Sequence, residues 1–386
     1  MIQTAFECFP WDLDLEGYDD AIARLAGDIG VDALLVPAVH EGIREIRPRA
    51  AEADRAFICS AAAHFQPDAK LYSGLQIRPI PAAWMKTRNP LQKIAEAAEK
   101  HRLKLRVSIS CCQGDTLVER YPHAACADFF GRPSDHWLCP SHPDVRAYLA
   151  ALVEDITTNY PVDALNLESA HFEPGYTTGY MNSLQLPPAI STLFFDSCYC
   201  ASCLQRATDA GVDVSALRAV HNGLFMKLSR LEPVPAVEFP DLIAENRVLA
   251  DFQRTRQESV TLLVHSLWAC CKAPLRTALA GPNDSTAAWP EELNKYCDGF
   301  YVPVVSSREH EWPSEEIAEA GGPAHCDINF TCYPPWAPDS PTLVSAVHRA
   351  AQAGVASIIF DNYGVAPEPC LDWVRQAIRY ARREMT

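Results

Sequence analysis

Short runs of apolar residues alternate along the chain with longer segments in which apolar residues recur at helical spacing. A continuous run of about four to eight apolar residues is typical of a strand that is buried on both faces. Eight such runs are present, and they predict strands at 2–8, 32–38, 103–110, 162–167, 274–280, 299–304, 324–329 and 356–361.

Helical periodicity fills the intervals between several of these strands. The segment 143–158 follows a capping-type serine, Ser141, has Pro143 at its first position and carries Asp144 in its first turn. All three features favour the start of a helix there. Gly354 is typical of a helix end. Further helices are predicted at 18–29, 91–101, 341–353 and 369–385.

The alternation of strands and helices sets the expected fold class. Strands joined by helices form parallel sheets, and eight such units close into an α/β fold, the (β/α)8 TIM barrel. An open doubly wound sheet is the alternative. No glycine-rich phosphate-binding loop follows any of the predicted strands, which disfavours the usual nucleotide-binding form of that alternative.

Two insertions account for the length of the chain, which at 386 residues is long for one domain. Residues 41–90 form a long loop after the second strand and include a candidate hairpin strand at 72–79. Residues 169–273 follow the fourth strand and include a helical region at about 240–271. We expect residues 1–386 to form a single barrel domain, because barrels reach this size when their loops are extended.

Charge and composition narrow the classes of partner. The net charge of −16 disfavours nucleic acid and anionic membrane surfaces, both of which attract basic patches. No signal peptide and no apolar run of membrane-spanning length is recognised. We therefore expect a cytoplasmic protein whose fifteen cysteines are mostly reduced thiols. Association into a homo-oligomer is left open.

Polar side chains cluster where the predicted strands end, and barrel enzymes carry their active sites at the carboxyl ends of their strands. The fourth strand is the sharpest example, because its buried residues are followed at once by Glu168. Carboxylates accompanied by tryptophan and tyrosine are typical of sugar chemistry, since aromatic rings stack on sugar rings while carboxyl groups exchange protons. The candidate site residues are Glu7, Trp11, His40, Glu41, Asn166, Glu168, His171, Tyr301, Asp327, Asn329, Trp336 and Asp361.

Two segments resemble a known group of proteins. The stretch LCPSHPDVRAYLAALVEDITTNYPVDALNLES at 138–169, followed by FFDSCYCASC at 194–203, is similar to bacterial glycoside-hydrolase-like barrel proteins and, more distantly, to the clan of retaining barrel glycosidases. The resemblance covers residues 138–205. It implies a glycoside hydrolase in which Glu168, at the end of the fourth strand, is the general acid/base residue.

The sequence departs from that clan beside the acid/base residue. The clan has asparagine immediately before this glutamate, whereas here Leu167 intervenes and Asn166 is two residues back. Strand alternation places Asn166 on the same face as Glu168.

The second carboxylate is a further departure. The clan's nucleophile is a glutamate at the end of the seventh strand, where this chain has Asp327 and Asn329. We assign the second catalytic carboxylate to Asp361, with Glu7 and Asp327 as alternatives. A hydrolase of this kind needs a small carbohydrate or glycoside as substrate and no cofactor.

Two other functions are compatible with these residues. Glu168, His171, Asp327 and Asp361 could surround a divalent ion such as Mn²⁺ or Mg²⁺, as in a metal-dependent sugar isomerase or epimerase. A barrel that binds carbohydrate without turnover is the other alternative.

A cysteine-rich motif, CYCASC, lies in the second insertion. Cys198, Cys200 and Cys203 are three thiols within six residues, and they suit a structural zinc site that takes a fourth ligand from elsewhere. Buried thiols without a metal, at a junction between a loop and a helix, are the alternative.

Overall fold

The computed structural model describes residues 2–174, 186–279, 285–304, 307 and 312–384. Eight parallel strands form its centre and are numbered β1 to β8 here. Every predicted strand is confirmed, with ends that differ by at most two residues. The strands are β1 (Gln3–Glu7), β2 (Ala33–His40), β3 (Lys104–Ser110), β4 (Ala164–Glu168), β5 (Leu275–Ala278), β6 (Gly299–Val304), β7 (Cys326–Thr331) and β8 (Ser357–Asp361).

The eight strands pair in sequence order, and the sheet closes on itself. β1 pairs with β8 on one side and with β2 on the other, and all eight pairings are parallel. This closed sheet confirms the (β/α)8 TIM barrel. It rules out an open doubly wound sheet, whose outermost strands remain unpaired on one side.

Helices cover the outer face of the sheet. The helix predicted at 143–158 spans Pro143–Asn159, but its N-cap is His142 rather than Ser141, because His142 Nδ1 accepts a 3.2 Å hydrogen bond from the backbone N–H of Asp144. None of the described helices is both long and apolar enough to cross a membrane. The α-helices are Pro10–Glu16, Tyr18–Arg24 (continued by a π-helical turn, Leu25–Ile29), Pro90–Lys100, Asp115–Arg120, Pro143–Asn159, Pro188–Ser191, Ala201–Asp209, Val214–Ser229, Phe239–Ala244, Arg247–Cys270, Pro290–Leu293, Ser314–Glu319, Ser340–Ala353 and Glu368–Glu384.

Strand alternation gives the barrel wall two different faces. Residues facing outward, such as Phe6 and Leu165, are fully buried beneath the helices and belong to the main apolar core. Burying a large apolar side chain stabilises the fold by about 1.5–3 kcal/mol, so this outer layer holds the barrel together. The inward-facing apolar residues form a smaller cluster of Ala5, Ala33, Leu35, Tyr301 and Ile359.

The insertion after β2 contains a hairpin, but not where it was predicted. Ile43–Ile46 and Ala56–Cys59 pair as antiparallel strands, and Ala62–Ala63 adds antiparallel to the end of β2. The strand predicted at 72–79 is wrong, because residues 69–74 form turns. Tyr72 and Ile77 are nevertheless buried against the main core, which explains the strand-like apolar pattern.

The insertion after β4 is helical in its described part, as predicted. Its helices pack an apolar cluster of their own, separate from the main core, which includes Phe194, Leu217 and Phe252. The longest of them, Arg247–Cys270, also packs against the barrel helix Pro143–Asn159. The insertion is therefore attached to the barrel wall, and the single-domain organisation remains a prediction.

Candidate active site

Three carboxylates from three strands lie together at the carboxyl end of the barrel. Glu7 ends β1, Glu168 ends β4 and Asp361 ends β8, and alternation turns each toward the barrel interior. The pKa of Glu7 lies well above its usual value, because of burial first and then because of the charges of Asp361, Glu168 and Glu41. These four residues form the acidic cluster of the barrel mouth.

Glu168 has the pKa of a group that can donate a proton at neutral pH. Burial, followed by the nearby charge of Glu41, raises the pKa of Glu168 to about 7. Its position is fixed by the backbone: the N–H of Cys111 donates to the Glu168 carbonyl at 2.8 Å, and the N–H of Cys112 donates to the Ser169 carbonyl at 3.1 Å. A carboxyl group with a pKa near 7 is suited to general acid catalysis.

Asp361 differs from Glu168 because hydrogen bonds stabilise its charged form. Burial raises the pKa of Asp361, while hydrogen bonds from Thr331 and Asn329 oppose that rise. The hydroxyl of Thr331 donates to Asp361 Oδ2 at 3.2 Å. Of the two carboxyl groups, Asp361 is therefore better placed to act as the anion, and Glu168 as the proton donor.

Tyr301 and Asn329 lie beside the acidic cluster. The side-chain amide of Asn329 donates to the phenol oxygen of Tyr301. Burial, followed by the charges of Glu7, Glu168 and Asp361, raises the pKa of Tyr301 well above its usual value. The phenol is therefore neutral and keeps its proton for hydrogen bonding.

Asp327 lies at the opposite end of the barrel, which contradicts its assignment to the site. It is the second residue of β7, where it forms ion pairs with Arg106 and with Arg276 (3.3 Å) and accepts a 2.5 Å hydrogen bond from Ser357 Oγ. The prediction failed because β7 was expected to end at residue 329, whereas it begins at Cys326 and ends at Thr331.

Asn166 lies in the barrel interior, one layer below Glu168. Its side chain is fully buried, and its Oδ1 atom accepts a 3.3 Å hydrogen bond from Arg106 Nη2. Alternation puts it on the same face as Glu168, as predicted, but two residues deeper in the barrel. Its assignment as a substrate-binding residue stays a prediction.

Trp11 is a packing residue. Only 2% of its surface is exposed, its indole N–H donates to Glu45 Oε1 at 2.6 Å, and its ring stacks on Phe57 with the centroids 5.0 Å apart. Both partners belong to the hairpin of the first insertion. The hairpin folds over the ring and buries it, so the expected substrate-binding role of Trp11 stays a prediction.

The two histidines of the predicted site are held by backbone contacts. His40 Nδ1 lies 2.6 Å from the Glu41 carbonyl, and the His40 ring packs edge-on to Trp11. His171 is buried, with its Nδ1 atom 2.7 Å from the Phe172 carbonyl. Burial lowers the pKa of His171 to about 4, so His171 is neutral at physiological pH.

Among the predicted aromatic site residues, Trp336, in the loop after β7, is exposed to solvent. Its side chain is 44% exposed. Its backbone carbonyl accepts a 3.0 Å hydrogen bond from the N–H of Ser307, so the loop that carries the ring is anchored. An exposed ring in a loop after a barrel strand is suited to stacking on a sugar.

The four residues of the metal-binding alternative do not all lie together. Asp327 is at the amino-terminal end of β7, whereas Glu168 and Asp361 are at the carboxyl ends of their strands. Among the described residues, two groups of three or more candidate ligands have their ligand atoms within 4.8 Å of one another, and neither contains Glu168, His171, Asp327 or Asp361.

Two features of the mouth were missed from the sequence. One is Thr331, which has no distinguishing local pattern. The other is a buried group formed by Asp12, Glu45 and Arg47, in which Arg47 Nε lies 2.9 Å from Asp12 Oδ1. Burial and the charge of Glu45 raise the pKa of Asp12 to about 8, although Arg47 opposes the shift. Glu45 lies in the hairpin, 33 residues after Asp12, and no pattern near Asp12 predicts that contact.

Comparison with known proteins extends the description of the fold. No protein-family model and no curated protein matches the chain. Among solved structures, it is similar to the PgaB (BpsB) glycoside hydrolase domain from Bordetella bronchiseptica, with 11% sequence identity, a TM-score of 0.62, and 98% of this chain and 99% of that one covered.

Two larger enzymes contain a similar barrel. The alpha-L-fucosidase isoenzyme 2 from Paenibacillus thiaminolyticus has 14% identity and a TM-score of 0.57, with 100% of this chain and 49% of that chain covered. The beta-galactosidase from Marinomonas ef1 has 12% identity and a TM-score of 0.56, with 98% and 59% covered. This chain therefore spans about half to three fifths of those two proteins. At such identities the likeness confirms the resemblance to glycoside-hydrolase barrels at the level of the fold.

Proposed function

We propose that the protein is a glycoside hydrolase in which Glu168 is the general acid. The main support is the environment of Glu168, a carboxyl group at the end of β4 whose pKa is about 7 and which shares the barrel mouth with Glu7 and Asp361. The fold adds support, because the three similar barrels are named as glycoside hydrolase, fucosidase and galactosidase.

The two carboxyl groups take different parts in the reaction. Glu168 transfers its proton to the glycosidic oxygen as the bond between that oxygen and the anomeric carbon breaks. Asp361, whose anion is stabilised by Thr331 and Asn329, either forms a bond to the anomeric carbon or accepts a proton from the water that attacks it. In either route the leaving alcohol carries away the Glu168 proton.

Glu7 is less suited than Asp361 to be the second carboxylate. Its pKa lies well above the usual value because of burial and the three neighbouring carboxylates, so its protonated, neutral form is favoured. A neutral carboxylic acid is a poor nucleophile and a good hydrogen-bond donor. We assign Glu7 to hydrogen bonding with a substrate hydroxyl.

The experiment is a screen of the purified protein against aryl glycosides and free sugars, with and without chelator, using the wild type and Glu168→Gln. We expect hydrolysis that survives the chelator. General acid catalysis is typically worth about 10²–10⁴-fold, so the variant should lose that much in kcat on substrates with poor leaving groups. The loss should be far smaller on activated aryl glycosides, which need little protonation.

Glu154→Gln is the matched control, because Glu154 is exposed on the barrel helix Pro143–Asn159. It should retain wild-type rates on both kinds of substrate. Equal losses on good and poor leaving groups in Glu168→Gln would contradict the acid assignment. Ligand binding without turnover in the wild type, unchanged in Glu168→Gln, would contradict hydrolysis and indicate a carbohydrate-binding barrel.

A further inference from the structure

Four cysteines lie together where the helical insertion meets the barrel, and the proposed reaction does not use them. Cys139 precedes the barrel helix Pro143–Asn159, whereas Cys198, Cys200 and Cys203 surround the start of the insertion helix Ala201–Asp209. Their four Sγ atoms all lie within 4.8 Å of one another.

The spacing of the sulfur atoms is that of a metal tetrahedron. Cys139 Sγ is 3.5 Å from Cys203 Sγ, 3.5 Å from Cys200 Sγ and 3.9 Å from Cys198 Sγ. A zinc–thiolate bond is about 2.3 Å long, so the sulfur atoms of a tetrahedral site are about 3.8 Å apart. A disulfide would need about 2.05 Å, and all four cysteines are free.

We propose that Cys139, Cys198, Cys200 and Cys203 bind one zinc ion as a closed tetrathiolate site. Binding converts the thiols to thiolates and releases their protons to solvent, without any redox change. With four protein ligands and no open position, such a site is structural rather than catalytic. Cys139 supplies the fourth ligand that the CYCASC motif lacks.

Polar and basic groups lie beside the sulfur atoms. The backbone N–H of Ala127 donates to Cys198 Sγ at 3.4 Å, and Ser141 Oγ is 3.5 Å from Cys203 Sγ. Arg146 lies near enough to interact electrostatically with Cys139, and it also neighbours Arg206. The Ala127 N–H and the Arg146 guanidinium offset part of the net charge of −2 that a zinc tetrathiolate carries.

A fifth cysteine nearby gives a matched control. Cys126 is buried beside the cluster, where it hydrogen-bonds with Cys139 and Cys198 and its thiol donates to the Leu138 carbonyl at 3.6 Å. It is not one of the four residues whose sulfur atoms all lie within 4.8 Å of one another. Cys112, which is also buried, is a control outside the cluster.

The proposed ion would join the insertion to the barrel. Its ligands come from two segments 59 residues apart along the chain, Cys139 on the barrel side and Cys198 on the insertion side. The connection between them includes β4 and Glu168. Removing the metal should therefore loosen the insertion and raise its sensitivity to protease, because a cross-link between distant segments is lost.

The test is the metal content of the full-length protein from cells supplied with zinc, followed by X-ray absorption and cobalt exchange. We expect about one zinc per chain, a shell of four sulfur atoms at about 2.3 Å, and, with Co²⁺, the thiolate charge-transfer and d–d bands of tetrahedral coordination. Iron in place of zinc, seen directly by elemental analysis, would overturn the choice of metal.

Variants test the ligand set. Cys139→Ser and Cys200→Ser should each lose most of the bound zinc, whereas Cys126→Ala and Cys112→Ala should keep it. Zinc retained in a Cys139→Ser/Cys200→Ser double variant, or lost in Cys126→Ala, would overturn the assignment. Wild-type protein with no metal and no cobalt spectrum would overturn the site without using any variant. Turnover of a glycoside is not a readout here, so the outcome is independent of the proposed hydrolase activity.

Discussion

Thr331 donates its hydroxyl hydrogen to the Asp361 carboxylate at 3.2 Å, and the two residues are direct neighbours across the β7–β8 pair. The hydrogen bond stabilises the anion and so opposes the rise in the Asp361 pKa that burial causes. The acidity of the proposed second carboxylate therefore depends on a neighbouring strand as well as on its own.

Thr331→Val should raise the pKa of Asp361 by about one to two units. A hydrogen bond to a charged group contributes about 1.5–3 kcal/mol, and one pKa unit corresponds to about 1.4 kcal/mol. In the proposed hydrolase, the acidic limb of the kcat/KM profile should move to higher pH by that amount. Thr157→Val is the control, because its hydroxyl donates to Val153 within the helix Pro143–Asn159. A limb that stays in place in Thr331→Val would contradict the role of this hydrogen bond.

Glu168→Gln should stabilise the protein at high pH and leave it unchanged at low pH. The pKa of Glu168 is raised from 4.5 to about 7. A carboxyl group whose pKa is raised by folding does not lower the free energy of unfolding at pH values below its unfolded-state pKa. As pH rises from the unfolded-state pKa through the folded-state pKa, the free energy of unfolding falls.

The stability difference between variant and wild type should therefore appear between about pH 4.5 and 7. It should reach roughly 3–4 kcal/mol above that range, as measured by denaturant unfolding at several pH values. Glu99→Gln, at an exposed site on the helix Pro90–Lys100, should show no such trend. A destabilised Glu168→Gln would indicate that Glu168 is a structural residue.

Asp327→Asn should reduce stability and leave the chemistry intact. Asp327 is the shared anion between Arg106 and Arg276 at the amino-terminal end of the barrel, and removing one partner of a buried ion pair costs about 3–5 kcal/mol. The melting temperature should fall, while kcat per folded molecule stays at the wild-type value. Asp163→Asn, whose carboxylate accepts from the Leu105 N–H at 2.8 Å, should cost much less. A large loss of kcat in folded Asp327→Asn would restore Asp327 as a candidate site residue.

Trp336→Ala should weaken substrate binding with little change in kcat. Stacking of the exposed ring on a sugar would act equally in the ground and transition states, and the loss of such binding raises KM. Aromatic contacts contribute about 0.5–1.5 kcal/mol, which corresponds to a rise in KM of roughly two- to tenfold. Trp268→Ala removes an equally exposed ring, at 44%, from the outer helix Arg247–Cys270. Equal effects of the two variants on KM would contradict a binding role for Trp336.

The fold could be predicted from the sequence because its signal is local and repeated. Each strand is a short apolar run, and the closed barrel follows from counting eight of them. The position of Glu168 was predictable for the same reason, since the polar switch after Leu167 marks the strand end. Asp327 was misplaced because β7 was predicted at 324–329 and spans Cys326–Thr331. The shift of two residues moves Asp327 from near the carboxyl end of the strand to its second position.

Other site features depend on contacts that no local pattern records. Trp11 is buried by a hairpin whose Glu45 is 34 residues away, and nothing near Trp11 in the sequence signals that contact. Thr331 is important only because Asp361 lies beside it on the neighbouring strand. Cys139 joins the cysteine cluster across 59 residues. The roles of these residues depend on contacts between segments that are far apart in the sequence, and the local patterns of a single sequence do not predict such contacts.

The ion-pair layer of Arg106, Arg276 and Asp327 has a kinetic consequence. It lies in the barrel beneath the acidic cluster, and the interior of such a barrel is a packed core rather than a channel. Substrate and products must therefore exchange through the same opening at the carboxyl ends of the strands. In the proposed hydrolase the leaving alcohol has to depart before another molecule can enter its place. The released sugar occupies the same site as the glycoside, and it should therefore act as a competitive inhibitor.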